Sequence, residues 1–217
     1  MRPRRVLVTG VSRYLGGRLA SLLDADSDIE QVIGVDTTAP AADIGQMQFV
    51  RADIRNPMIA KVIAESDVDT VVHLHVVATP LTAGGRAAMK EINVIGTMQL
   101  LAACQKAPSV RKLVVKSTTA VYGSSPKDPA LFTEDMEPRR LPRSGYAKDA
   151  VEVEGYVRGF GRRRPDVDLT VLRFTNFVGP RIDSVLSRYF ALPVVPTVLG
   201  FDPRLQFLHE DDALEIL

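Results

Sequence analysis

A glycine turn and a later acidic residue are spaced along this chain as a dinucleotide site requires. The apolar run that ends at Thr9 leads directly into Gly10, and Gly16 follows in an apparent helix. Backbone N–H groups at the start of such a helix can hold a pyrophosphate. Asp36 stands 26 positions after Gly10, close to the spacing of the acid that accepts both ribose hydroxyls. Because this carboxylate would repel a 2′-phosphate, it favours NAD.

The residues between these glycines depart from the usual Gly-x-x-Gly-x-x-Gly turn, because Arg13 stands in place of the middle glycine. Ser12 and Arg13 also resemble part of the Thr-Gly-x-Ser-Arg-Gly loop of NADP-dependent reductases. In that alignment the arginine pairs with a 2′-phosphate, and Tyr14 takes the place of a glycine. We expect NAD as the cofactor, with NADP as the alternative. The expected loop contacts are Gly10, Ser12, Arg13, Tyr14, Leu15 and Gly16.

Bulk composition indicates a globular protein without a nucleic-acid or membrane partner. The 217 residues are 46% hydrophobic and 24% charged, and the formal net charge of +1 gives no excess to attract nucleic acid or an acidic membrane. No apolar run reaches the length of about 18 residues that a membrane-spanning helix needs. Cys104 is the one cysteine, which excludes an internal disulfide and suits the reducing cytoplasm. One cysteine and three histidines predict no metal site.

Strand-like apolar runs alternate with helical patterns along the chain. The runs lack strict alternation of apolar and polar residues, which is typical of a parallel sheet covered on both faces. Repeated β-α-β units with right-handed crossovers predict an α/β fold, a Rossmann-type doubly wound sheet with helices on both faces. The predicted strands are 5–9, 31–35, 46–50, 70–74, 111–115, 169–174 and 205–209. The predicted helices are 15–24, 58–65, 85–107 and 148–163.

The last part of the chain differs from the rest. We expect residues 1–174 to form the dinucleotide-binding domain and residues 175–217 to begin a substrate-binding region. A helix that starts at Asp211 would have no C-cap and no following element, so we expect the chain to be a fragment of a longer protein.

Several segments, in order, resemble the NAD-dependent epimerase/dehydratases, the extended branch of the short-chain dehydrogenase/reductase superfamily to which UDP-glucose 4-epimerase belongs. The resemblance covers nearly the whole chain. It implies an NAD(P)-dependent epimerase or dehydratase that acts on a nucleotide sugar, and it leaves a homodimer possible. The alternative is a dinucleotide-binding protein with weak or no catalysis, used as a sensor or scaffold. The matching segments are Thr9-Gly10 with Gly16, Asp36, Asp53-Ile54, His73-Leu74, 93–97, 117–123, 148–152 and 173–180.

The resemblance also implies roles for individual side chains. Thr118 stands at the catalytic Ser/Thr position, where its hydroxyl would donate to an oxygen of the sugar. His75 departs from the small residue usual beside the cofactor, and we expect it to touch cofactor phosphate or ribose or to fill that space. Further cofactor contacts are expected at Asp53, Ile54, Leu74 and Asn93, and a substrate contact at Asn176.

The largest departure concerns the Tyr-x-x-x-Lys pair of the family. Lys148 matches the lysine that holds the ribose and lowers the pKa of the tyrosine from about 10. Four residues earlier stands Ser144, whose hydroxyl would need a separate base. Tyr146 lies about 200° around a helix from Lys148, so it is expected to reach the site only if its segment is not helical. Tyr122 is a less favoured substitute. The catalytic candidates are Thr118, Ser144, Tyr146 and Lys148.

Overall fold

A six-stranded parallel sheet forms the centre of the protein, in the order β3-β2-β1-β4-β5-β6. The computed structural model describes residues 3–41, 44–79, 83–123, 125, 127–129, 131–143, 145–197, 199–200 and 205–217. The strand order reverses between β1 and β4, the place where dinucleotides bind in such sheets. The predicted Rossmann-type α/β fold is therefore confirmed. The strands are β1 Arg5–Thr9, β2 Gln31–Asp36, β3 Gln48–Arg51, β4 Thr70–His73, β5 Lys112–Thr118 and β6 Asp168–Phe174.

Helices cover both faces of this sheet. Leu7 of β1 is buried in the cluster that includes side chains of α2, α4 and α5, whereas Val6 and Val8 belong to the cluster that includes α1. Because neighbouring residues of one strand enter opposite cores, the strand must be apolar throughout. Between α3 and α4 the backbone continues through a π-helical segment. The helices are α1 Tyr14–Asp24, α2 Met58–Glu65, α3 Arg86–Lys90, α4 Gly96–Lys106 and α5 Gly145–Arg163.

Two boundaries differ from the prediction in ways that affect the site. Strand β5 extends to Thr118 rather than ending at residue 115, because its polar end pairs in register with Arg173 and Phe174 of β6. Helix α5 begins at Gly145, three residues earlier than predicted. Tyr146 is therefore helical.

The segment after β6 packs partly against the same sheet. Strand β7 (Asn176–Val178) pairs in parallel with β8 (Phe207–His209), α6 spans Val185–Phe190, and α7 spans Glu210–Ile216. Ala213 of α7 is fully buried in the core that contains Leu15 of α1. The division of the chain near residue 174 stays a prediction. None of the helices in the described ranges is long and apolar enough to cross a membrane.

Candidate functional site

The glycine turn after β1 is required by close approach of the backbone. Gly10 has φ +83°, and a Cβ on it would lie 3.0 Å from the backbone of His75. A Cβ on Gly16 would collide with the carbonyl group of Gly10. Arg13 is the N-cap of α1 and makes no side-chain capping bond, so the first N–H groups of the helix keep their capacity for an external acceptor.

Positive charge gathers around this turn. Arg13 lies close enough to Lys116 of β5 that its charge, together with the larger effect of burial, lowers the pKa of Lys116 to about 8. The two positive charges repel each other, and the start of α1 beside them is uncapped. A phosphate group bound there would offset the repulsion, so the arrangement fits an anionic ligand. Arg13 thus stands in place of the middle glycine and adds positive charge beside the turn.

The carboxylate of Asp36 lies at the end of β2 and is 2% exposed. Its Oδ2 accepts hydrogen bonds from the backbone N–H and the hydroxyl of Ser12, at 3.0 and 2.7 Å. Its Oδ1 accepts from the backbone N–H of Thr37 at 2.7 Å. The two N–H groups hold the carboxylate in place, whereas the Ser12 hydroxyl rotates and can give way to another hydroxyl. This arrangement fits a ribose.

His75 carries an unsatisfied polar atom next to that carboxylate. Its Nδ1 is buried without a hydrogen-bond partner in the described chain, and it lies 3.8 Å from Oδ1 of Asp36, too far for a hydrogen bond. Burial lowers the pKa of His75, Asp36 opposes the shift, and Arg13 adds to it. Buried polar atoms are usually hydrogen-bonded, so Nδ1 of His75 has room for a bond to a polar group of a ligand that also contacts Asp36.

His73, two residues earlier, belongs to the scaffold instead. Thr97 donates its hydroxyl hydrogen to the carbonyl of Asn93 at 2.6 Å, so it accepts from Nε2 of His73 at 2.9 Å. The other nitrogen of His73 therefore accepts from the hydroxyl of Thr9 at 2.8 Å. Burial lowers the pKa of His73 to about 3, which keeps the ring neutral. The hydroxyl of Thr9 in turn accepts the backbone N–H of His75 and positions that residue.

Two of the predicted cofactor contacts, Ile54 and Asp53, make contacts within the fold itself. Ile54 is 2% exposed and packs where a Cβ on Gly96 would stand, and its contact with a cofactor stays a prediction. Asp53 is partly exposed and bonds to Arg55, whose Nε lies 2.9 Å from Oδ2. The hydrogen bonds from Arg55 hold the pKa of Asp53 below its usual range. Of these two residues, Asp53 is the one whose side chain is accessible to a ligand.

The predicted contacts Leu74 and Asn93 are also buried. Leu74 lies in the core on the α1 side of the sheet. Asn93 accepts from the N–H of Val77 at 2.8 Å and donates to its carbonyl at 2.9 Å. The amide of Asn93 thus fixes the segment after β4, and it does so from the π-helical turn, a feature frequent at functional sites.

Tyr146 and Thr118 meet at the carboxyl end of β5. Burial raises the pKa of Tyr146 to about 12, and the nearby hydroxyl of Thr118 opposes this rise. The expectation that a helical Tyr146 cannot reach the site is therefore wrong. The first turn of α5 lies over the end of β5, and Tyr146 is on the face that looks toward Thr118.

Lys148 is placed elsewhere. It is exposed and lines an outer groove with residues 137–143. Tyr146 and Lys148 do lie on opposite faces of α5, but it is the tyrosine that faces Thr118. One turn after Tyr146 stands Ala150, which is buried. Ser144 lies outside the described residues.

Sequence reasoning missed Lys116, which lies in the same small cavity as Asn93, Tyr146 and Ala150. Its side chain is partly buried, and its Nζ lies 5.2 Å from the centre of the Phe177 ring, a cation–π distance. The available signal was a lysine directly after the buried apolar run 113–115, where an unpaired charge is costly.

An ion pair between Arg173 of β6 and Glu154 of α5 lies next to the end of β5. Glu154, 4% exposed, accepts from the hydroxyl of Ser117 at 2.6 Å and from Nε of Arg173 at 2.9 Å. Burial raises the pKa of Glu154, but these hydrogen bonds outweigh it and hold the pKa below its usual value. Arg173 also donates to the phenol oxygen of Tyr122 at 2.7 Å, and that phenol donates to the carbonyl of Thr133. Tyr122 is therefore committed to structure.

Asn176 lies on β7 and is exposed. Its amide donates to the carbonyl of Gln206 at 3.3 Å, a contact that ties β7 to the segment before β8. Its expected contact with substrate stays a prediction.

Comparison with known proteins agrees with this geometry. Residues 6–217 match the sequence model of the NAD dependent epimerase/dehydratase family. An uncharacterized protein of Mycobacterium tuberculosis is 56% identical over 99% of this chain, which corresponds to 58% of that protein. UDP-glucose 4-epimerase of Mycolicibacterium smegmatis is 31% identical over 82% of this chain and 58% of its own length. The chain thus spans somewhat more than half the length of these curated relatives.

Among solved structures, UDP-glucose 4-epimerase of Thermotoga maritima superposes with a TM-score of 0.79 and 24% identity. The match covers 97% of this chain and 71% of that protein. At this identity the likeness supports the fold, which agrees with the sheet order described above.

Proposed function

Because the chain belongs to the NAD-dependent epimerase/dehydratase family, we propose that it binds NAD and acts on a nucleotide sugar, as an epimerase or a dehydratase. The observation that carries the proposal is that the side chains of Tyr146 and Thr118 lie next to each other, at the sheet edge that also carries the glycine turn. The substrate class is taken from relatives such as UDP-glucose 4-epimerase.

The residues present fit NAD in three places. The uncapped start of α1 and the charge of Arg13 suit the pyrophosphate, Asp36 suits the adenosine ribose, and the orphaned Nδ1 of His75 suits a nearby hydroxyl or phosphate oxygen. When bound, NAD supplies the electron acceptor for transient oxidation of a sugar hydroxyl. NADP remains the alternative, with Arg13 as the group that would meet its 2′-phosphate.

Proton transfer is assigned to Thr118, at the end of β5, and to Tyr146, in the first turn of α5. The hydroxyl of Thr118 donates a hydrogen bond to the reacting oxygen of the sugar, and the phenol oxygen of Tyr146 takes the proton. A pKa of about 12 is far above neutrality, so the phenol of Tyr146 needs a stabilising charge before it can serve as a base.

Two observations favour a second candidate, a dinucleotide-binding protein without catalysis. Ala150 occupies the position where the family pattern places a lysine one turn after the tyrosine, and Arg13 occupies a glycine position of the turn. Such a protein would bind NAD and leave nucleotide sugars unchanged.

Turnover of UDP-glucose and UDP-galactose by the full-length protein separates these two functions. We expect Tyr146→Phe to lower turnover by about 10²–10⁴-fold, the usual contribution of general acid–base groups. Tyr156→Phe is the matched control, because Tyr156 lies on the same helix but is 37% exposed, and it should leave turnover unchanged. Binding of NAD with no turnover of any nucleotide sugar tested would favour the second candidate.

A homodimer and a cytoplasmic location stay predictions. Ile95 and Met98 are 42% and 38% exposed and lie three residues apart, so they share one face of the helical segment. Light scattering at several concentrations would show whether Met98→Lys changes the mass in solution.

A further inference from the structure

A lysine of β5 lies beside the tyrosine of the site. Lys116 and Thr118 are two residues apart on β5, so they project from the same face of the strand, with Cα atoms about 6–7 Å apart at the usual rise per residue. The side chain of Thr118 lies beside that of Tyr146. Lys116 and Tyr146 line the same small cavity. A flexible four-carbon lysine stem covers a separation of this size.

Helix α5 offers no cation on that side of the cavity. Ala150 stands one turn after Tyr146 and lines the cavity with only a methyl group. Lys148 is exposed on the opposite face. Lys116 is therefore the lysine of the described chain that lines this cavity together with Tyr146.

The groups around Lys116 lower its pKa but leave its amine mostly protonated near neutrality. Arg13 faces it from the turn after β1, neutral His73 from β4, and the ring of Phe177 from β7. No carboxylate of the described chain is paired with it. Burial and then Arg13 lower the pKa of Lys116 to about 8, so most of it is protonated near neutrality.

Resting on the function proposed above, we propose that Lys116 makes Tyr146 a base. Its ammonium group hydrogen-bonds the ribose of bound NAD and stabilises the phenolate of Tyr146. The cation of the Tyr-x-x-x-Lys pair is thereby supplied by strand β5 instead of helix α5. The proton of the sugar hydroxyl passes to the phenolate oxygen, while the ammonium group keeps its own protons.

The ionisation of Tyr146 tests this without any sugar substrate. Tyrosinate absorbance is followed against pH in the full-length protein, with and without NAD, and the Tyr146→Phe titration is subtracted to isolate the one phenol. With NAD bound, we expect the apparent pKa of Tyr146 to be at least one unit higher in Lys116→Met than in the wild type, and turnover near neutrality to fall at least tenfold. Lys116→Arg keeps the charge and should keep the titration near that of the wild type.

A relocation variant supplies the decisive comparison. Lys116→Met combined with Ala150→Lys returns the cation to α5, and we expect it to lower the pKa of Tyr146 again. Lys116→Gln is measured in parallel, so that poor folding of one variant does not remove the test. An unchanged Tyr146 titration in Lys116→Met and Lys116→Gln would overturn the proposal. Because the titration is also read without NAD or sugar, failure of the proposed function would appear separately, as absent binding or turnover.

Discussion

Asp149 and Arg86 form a two-point ion pair that fixes the start of α5. Nη1 of Arg86 lies 2.7 Å from Oδ2 of Asp149, and Nη2 lies 2.6 Å from Oδ1. Nη2 also donates to the carbonyl of Gly145, the first residue of the helix. Asp149 is fully buried. Because Tyr146 lies between these two anchored residues, the pair holds the turn that presents Tyr146 to Thr118.

Removal of this pair should destabilise the fold. Arg86→Met leaves the buried carboxylate of Asp149 without its partner, and we expect the free energy of unfolding to fall by about 1–3 kcal/mol. The expected loss lies below the range of about 3–5 kcal/mol for fully buried pairs, because the Arg86 side chain is 38% exposed and water replaces part of its contact. Urea unfolding measures the loss. Arg111→Met breaks an exposed pair with Asp166 and should change little, and equal losses in both variants would contradict the prediction.

Acid should weaken the protein through Glu154. Its pKa is held below the usual value in the folded state, so its contribution is present above the unfolded pKa of about 4.3 and is lost as pH falls through the folded pKa. Glu154→Gln should therefore flatten the acid limb of a stability–pH curve measured by urea unfolding. Glu65→Gln removes an exposed carboxylate of a surface pair and should leave that limb unchanged. A wild-type curve that is flat below pH 5 would refute this role.

The sequence was sufficient for the scaffold because its signals are local. The apolar run of β1, the glycine turn and the acid at the end of β2 each follow from residues close together in the chain. Gly10 and Gly16 are needed because the backbone of the turn approaches the segment after β4 and the start of α1 too closely for a Cβ atom. The strand order follows from repeated right-handed units.

The sheet edge that carries Thr118 and Tyr146 was harder to predict, because helical periodicity gives only relative directions. It correctly separates Tyr146 from Lys148, but it cannot say which of the two faces meets β5. That choice is made by tertiary contacts, among them the Arg86–Asp149 pair. Lys116 escaped notice for the same reason, since its strand position shows its significance only after α5 places Ala150 and Tyr146 around it.

Asp36 should set the preference for NAD. We expect Asp36→Ala to weaken NAD binding about tenfold or more, because a charged acceptor for the ribose hydroxyls is lost, and to reduce the preference over NADP. Calorimetry with both dinucleotides measures the change. Asp28→Ala alters an exposed loop carboxylate and serves as the control. Tighter binding of NADP by the wild type would instead identify Arg13 as the selecting residue.

Arg13 provides the sharpest test of the turn, because its two possible effects have opposite signs. If its guanidinium faces the pyrophosphate, Arg13→Ala weakens NAD binding about tenfold and reduces the loss of affinity with added salt, since one charge contact disappears. If its side chain obstructs the turn, the same variant binds NAD more tightly. We expect weaker binding, because the charge of Arg13 acts on Lys116 at the same sheet edge and its side chain makes no capping bond to the start of α1. Arg18→Ala, an exposed change on the same helix, is the control, and calorimetry over a range of salt concentrations gives both the affinity and its salt dependence.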